Sequence, residues 1–171
     1  MLSNLNYGSQ LNPQSKPQTD NCTVEKYCSF ADANCTVYGG LYQWDELMQY
    51  RVPSAGEYLQ GICPPEWHVP TSDEWQMLID GQTNAGNGIA GGDLKDLNPA
   101  FGFKGLLMGI FYQNNTWDFT SGGLTASMFW TSTLASGTRV ITRGLNSYVE
   151  SVLKYNSLRS NAFPLRCVKD F

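Results

Sequence analysis

The apolar pattern changes character along the chain. Residues 1 to 24 are rich in Asn, Gln, Ser and Pro and show neither a two-residue nor a 3.6-residue apolar period, which predicts a linker or extended arm over 1–26 ahead of a domain spanning 27–171. Leu2, Leu5 and Leu11 give that arm apolar points for docking on the domain or on a neighbour. Trp44, Leu47 and Met48 then fall at i, i+3 and i+4. Asp45 and Glu46 sit where a first turn favours acids, so a short amphipathic helix is predicted over 44–50. A second helix is better signalled: Thr71 with Glu74 three residues on makes a capping box, and Trp75, Leu78 and Ile79 supply a buried stripe. Residues 80–93 (DGQTNAGNGIAGGD) hold five glycines, each unfavourable in a helix by about 1 kcal/mol, and read as a loop. Beyond it, Gly105–Tyr112, Met128–Thr133, Arg139–Leu145 and Leu165–Val168 read as strands separated by Gly, Asn and Ser turns.

Composition narrows the function classes. A chain of 171 residues with 42% hydrophobic and 13% aromatic residues can bury one core and leaves little room for a second. The formal charge of -4 and pI near 4.8 have the wrong sign for a phosphate-backbone binder, so no nucleic-acid partner is expected. No apolar run approaches the ~20 residues of a membrane-spanning helix. The first residues show no cationic start, apolar stretch or cleavage site, as would equally hold for the mature part of an exported protein.

Five cysteines beside a single histidine suit disulfides better than zinc. Cys28 and Cys35 flank a polar, turn-like stretch where a local clip would stabilise by about 2.5 kcal/mol. A bridge from Cys63 to Cys167 would tie mid-chain to terminus for up to about 4.7 kcal/mol. Four cysteines allow three pairings, which the residues leave open, with Cys22 the odd one in the arm.

The strings Tyr27-Cys28, Asn34-Cys35, Tyr38-Gly39-Gly40-Leu41-Tyr42-x-Trp44 and Gln60-Gly61-Ile62-Cys63-Pro64-Pro65-x-Trp67-His68-Val69-Pro70-Thr71-x-x-Glu74-Trp75 resemble the Fibrobacter succinogenes major paralogous domain. Gly102-Phe103, Phe129-Trp130-Thr131-Ser132-Thr133 and Phe163-Pro164-Leu165-Arg166-Cys167-Val168-Lys169-Asp170 look like its later blocks, in order. The resemblance covers about residues 27 to 171. It implies a domain of secreted or surface-attached proteins of Fibrobacteres and Bacteroidetes, often on lipoproteins, with no general activity established. The segment from Trp67 to Trp75 is also similar to the helix start of the formylglycine-generating enzyme superfamily. Both families imply an α+β, C-type-lectin-like fold: two helices on a small twisted antiparallel sheet, neighbouring termini and long irregular loops. A Cys63–Cys167 bridge agrees with that closure. The formylglycine-generating oxidase needs two near-terminal copper-binding cysteines, whereas only Cys167 follows Cys63 here.

Bland readings outweigh chemical ones at most candidate residues. His68 lies between Trp67 and Val69 in a structural motif, which favours packing or hydrogen bonding over catalysis. Asp45/Glu46 and Asp73/Glu74 fall in first helical turns, where capping explains them better than glycoside hydrolysis. Asn114, Asn115, Trp117 and Asp118 resemble the calcium and sugar site of C-type lectins, without its companion tripeptide. A polar turn is the expected reading, with calcium the minor alternative and no other cofactor or metal. Asn21, Asn34 and Asn114 begin Asn-x-Ser/Thr sequons, relevant only in a host that glycosylates them.

Tyr112, Trp117, Phe119 and Tyr148, near Gln113, Asn114, Asn115 and Asn146, combine flat apolar faces with adaptable polar edges, as a sugar- or protein-binding surface needs. Trp44, Trp67, Trp75 and Trp130 are expected inside. The stretch from Thr138 to Asn161, with Arg139, Arg143, Asn146, Tyr148, Tyr155, Asn156 and Arg159, is expected to form the displayed face. Together these features predict a non-catalytic extracellular or cell-surface recognition or assembly module that takes a glycan or surface protein on its loops, with self-assembly through the arm as a further expectation. The alternatives are an enzyme of formylglycine-generating type and a purely structural filament subunit.

Overall fold

Two tryptophans pin the main sheet to its neighbour. Trp44 opens a one-turn helix, α1 (Trp44–Leu47), directly after strand β3 (Gly40–Gln43), and its indole N–H donates to the carbonyl of Thr131 at 2.9 Å. Trp130 returns the contact, donating to the carbonyl of Tyr42 at 2.7 Å from the long strand β7 (Ala126–Ser136). Both indoles are fully buried. The protein is described here from a computed structural model covering residues 1, 3–11, 16–29, 32–33, 35–82, 86, 88, 90–95, 102–112 and 124–170, together with the backbone of 117–118.

The remaining elements are β1 (Ser9–Gln10), β2 (Glu25–Cys28), β4 (Trp67–His68), α2 (Ser72–Asp80), α3 (Ala90–Leu94), β5 (Ile110–Phe111), β6 (Trp117–Asp118), β8 (Arg139–Asn146), β9 (Val149–Leu158), β10 (Ala162–Pro164) and β11 (Val168–Lys169). One sheet runs β1-β2-β3-β10-β5-β6, a second is the meander β7-β8-β9, and β11 pairs with β4. The meander is antiparallel, with Trp130 opposite Thr142 and Thr142 opposite Tyr155. Its two faces therefore have different neighbours. Phe129 and Leu145 pack with Trp75 of α2 and Leu94 of α3. On the opposite face, Trp130 and Met128 join the main core with Tyr42, Phe163 and Leu165.

The α+β expectation stands, and several local expectations need correcting. Among the described residues there are three helices rather than two, because α3 forms inside the glycine-rich stretch expected to be a loop. A Cβ at Gly91 would lie 2.6 Å from the carbonyl oxygen of Glu150, so glycine lets this helix sit directly on β9, and tertiary contact overrides helix propensity. The first helix stops at Leu47 rather than Tyr50. Ile62 N–H takes the Leu47 carbonyl at 2.9 Å, and Gln49 and Tyr50 turn to positive φ. The second helix starts as expected, with the reciprocal Thr71–Glu74 box in place. Its Trp75 is buried, while Leu78 and Ile79 are half-buried. Of the strand expected over Gly105–Tyr112, only Ile110–Phe111 forms, since Lys104 and Gly109 adopt positive φ. Met108 N–H instead donates to Ser127 Oγ at 2.8 Å. The run Leu165–Val168 is not one strand: Leu165 gives its carbonyl to Leu5 N–H, and β11 begins at Val168.

The arm docks. Leu5 is buried in the main core, β1 pairs in parallel with β2, and Asn6 donates to the carbonyl of Cys35 at 2.8 Å. Sheet and core thus continue across the boundary expected at residue 26. The Met1 ammonium reaches the Cys167 carbonyl at 3.0 Å, which brings the two ends together. Cys28 bonds to Cys35 and Cys63 to Cys167, leaving Cys22 exposed and unpaired.

Candidate functional site

Period two along β7, β8 and β9 places Ala126, Met128, Gly144, Leu153, Tyr155 and Ser157 on one face of the meander. Away from the Trp130 core this face stays open. It forms the floor of a groove of about 590 Å³, whose far wall comes from Ile110 and Tyr112 at β5 and from Asn161 and Phe163 at β10. A Cβ at Gly144 would lie 3.0 Å from Met128 Sδ and 3.2 Å from a ring carbon of Tyr155. The glycine therefore lets the Tyr155 ring lie across the strand. Glycine inside a strand often marks such a close approach.

The groove joins apolar faces to amide edges. Tyr155 is 47% exposed, a large fraction for an aromatic ring on a sheet face. Asn146 accepts the Tyr148 N–H on Oδ1 at 2.7 Å, which closes the β8–β9 turn and leaves its amide nitrogen to donate. Asn156 and Arg139 complete the rim, Arg139 donating to the Asn156 carbonyl at 2.9 Å. Asymmetric pairing of ring faces with amide donors suits a flat ligand that has an apolar side and hydroxyl edges.

Of the residues expected at a binding surface, Tyr112, Asn146 and Tyr155 come together here. Tyr148 stands at the hairpin turn, 65% exposed and outside the groove. Arg143 is not on the displayed face: it is 5% exposed, on the helix side of β8, and donates to the carbonyl and hydroxyl of Ser72 at 3.0 and 3.1 Å. Period two requires this, since Arg143 alternates with Thr142 and Gly144. Arg159 stacks 4.5 Å over the Trp44 ring and pairs with Asp45, which makes it part of the α1 anchor. Asn114 and Asn115, with Gln113 and Phe119, lie outside the described residues, as do the side chains of Trp117 and Asp118. Sequence reasoning missed the groove's apolar half, Met128, Leu153, Ile110 and Phe163. The alternation of 153, 155 and 157, and Gly144 isolated in a strand, were the available signals.

Of the acids expected to serve helix starts, Glu74 does so, whereas Glu46 serves groups outside α1. Glu46 is buried and accepts the Glu25 N–H at 2.7 Å and the Tyr50 hydroxyl at 2.8 Å. Burial, with the charges of Glu25 and Asp20, holds its carboxyl above the usual range against those hydrogen bonds. Glu74 closes the α2 box and faces His68 Nε2 at 2.7 Å, while His68 Nδ1 meets Asp170 at 2.6 Å. His68 is buried at 5% exposure, so it clamps the start of α2 to the chain end. Burial pushes its pKa down, but the hydrogen bonds and charges of Asp170 and Glu74 raise it above the ordinary 6.5 overall.

A group whose folded pKa is raised stabilises fully below its unfolded value, and that contribution fades as pH climbs through the folded value. The urea midpoint is therefore expected to fall as pH rises above 6.5, and His68→Gln should remove that part of the slope. Denaturation series from pH 6 to 9 on both proteins check this. An unchanged slope in the variant would contradict the clamp.

Among the described residues no three His, Cys, Asp or Glu side chains converge as metal ligands. Cys63 and Cys167 are joined to each other, so neither is a free thiol. No described helix is long and apolar enough to cross a membrane, and two disulfides fit an oxidising, extracellular setting. Comparison with known proteins gives one assignment: the model of the Fibrobacter succinogenes major domain matches residues 1–169, and the chain belongs to that family. The match includes the docked arm. No curated protein matches the chain, and no solved structure does.

Proposed function

We propose that this member of the Fibrobacter succinogenes major domain family is a non-catalytic, extracellular or surface-attached recognition module that seats a saccharide in the groove between the meander and β5/β10. The observation that carries the reading is the convergence of Tyr112, Tyr155, Asn146 and Asn156 around an open floor at Gly144. Sugars present apolar C–H faces and hydroxyl edges, and this lining offers a partner for each. The disulfides support the compartment. Meeting termini, helices on one face of a meander and irregular connections support the C-type-lectin-like relation. Structural roles for Glu46, Glu74 and His68, and the Cys63–Cys167 bridge, favour binding over chemistry.

The test is a glycan array probed with the intact protein and with Tyr155→Ala. Removing one stacking face is expected to weaken binding about tenfold, corresponding to roughly 1.4 kcal/mol, with an unchanged thermal midpoint because the ring is half exposed. An array without signal, or one indifferent to Tyr155, would overturn the saccharide reading. A protein partner has one observation of its own, the adjacent exposed pair Tyr148 and Val149 at the hairpin turn. That partner would be sensitive to Tyr148→Ala and insensitive to Tyr155→Ala.

A further inference from the structure

Among the described residues the groove lining is positive, whereas the chain is negative overall. The protein carries a formal charge of -4, yet among the described residues lining the groove there is one cation, Arg139, and no Asp or Glu. The five arginines of the sequence are used differently. Arg51 pairs with Glu57, and Arg159 pairs with Asp45. Arg143 and Arg166 are buried on backbone carbonyls, the latter on those of Phe103 and Lys104. Arg139 is exposed and, among the described residues, has no carboxylate within ion-pair distance. Its bond from Nη1 to the Asn156 carbonyl holds the guanidinium at the groove's rim.

A planar guanidinium held by one arm keeps its other N–H groups for an incoming acceptor, and its fork matches a carboxylate or sulfate in two-point contact. Without an acid beside it, nothing in the described lining neutralises that charge. A neutral sugar would use the tyrosines and asparagines alone and leave the cation facing solvent. We propose that the groove selects an anionic saccharide, one whose carboxylate or sulfate pairs with Arg139 while its ring lies on Tyr155. This inference rests on the saccharide reading above and narrows it to a ligand class.

The experiment is calorimetric titration of the full chain with a galacturonate oligomer and with its fully methyl-esterified form, which keeps the ring and removes the charge. Sialylated and sulfated oligosaccharides, each beside its uncharged parent, form two further arms that identify the source of the anion. In at least one arm the charged member is expected to bind about tenfold more tightly, as a charge-assisted hydrogen bond allows. That preference should shrink with added salt. Arg139→Gln should abolish that preference, and Arg139→Lys should restore part of it. Equal binding of charged and uncharged members in all three arms, or a preference that survives Arg139→Gln, overturns the anion selectivity and leaves the saccharide reading standing. Failure of every saccharide, charged or neutral, overturns both. A thermal midpoint for Arg139→Gln matching the parent separates loss of binding from loss of fold.

Discussion

Serine at both Cys63 and Cys167 is expected to lower the unfolding free energy by about 4.7 kcal/mol, the loop-closure entropy of a bridge spanning 104 positions. Against a typical domain stability of roughly 5–15 kcal/mol this is a large share. The bridge also holds the segment between β10 and β11, where Leu165 and Cys167 give their carbonyls to Leu5 N–H and the Met1 ammonium. Its loss should therefore release the arm as well, visible as faster amide exchange at Leu5 and Gly40, whose N–H donates to the Leu5 carbonyl. The matching change at Cys28 and Cys35 closes a separation of only 7 and should cost about 2.5 kcal/mol on the same argument. Urea unfolding of the two double variants checks the ratio. Equal losses, or a larger loss at the short clip, would contradict it.

Trp130→Ala is expected to cost about 4 kcal/mol. The indole is wholly buried, lies 4.6 Å from the Phe163 ring, and satisfies the Tyr42 carbonyl. Truncation removes its packing, leaves a cavity in the main core, and strips a buried carbonyl of its donor. Trp130→Phe separates these effects: it keeps most of the packing and loses the N–H, for a cost of about 1–2 kcal/mol. Chemical denaturation measures both. A Phe variant as damaged as the Ala variant would show that the hydrogen bond rather than the packing dominates.

The legible parts of the fold were those where local chemistry and tertiary structure agree. Thr71 and Glu74 cap α2 because a capping box needs only residues three apart, and the burial of Trp44, Trp75 and Trp130 follows from side-chain size. Trp67 is the exception, half-buried beside the paired β11. Illegible parts depend on contacts from far away in sequence. Gly91 and its neighbours form a helix only because β9 lies beneath them, and Gly105–Gly109 is drawn off strand geometry by Leu94, Ser127 and Ala126. The candidate site was half visible for the same reason. Tyr112, Asn146 and Tyr155 announce themselves by type, whereas Met128, Leu153 and Phe163 become groove lining only once the two sheets face each other. Arg143 shows the converse error: residue type suggested display, and the alternation along β8 turned it toward α2.

The most direct test of the groove as the binding surface is backbone amide shift mapping of the intact protein, titrated with a saccharide retained on the array. Perturbations are predicted at Gly144, Asn146, Tyr155 and Asn156, across the meander and its rim. Perturbations confined to the separate cleft lined by Pro53, Tyr58 and Met77, or none with any saccharide, would contradict the account.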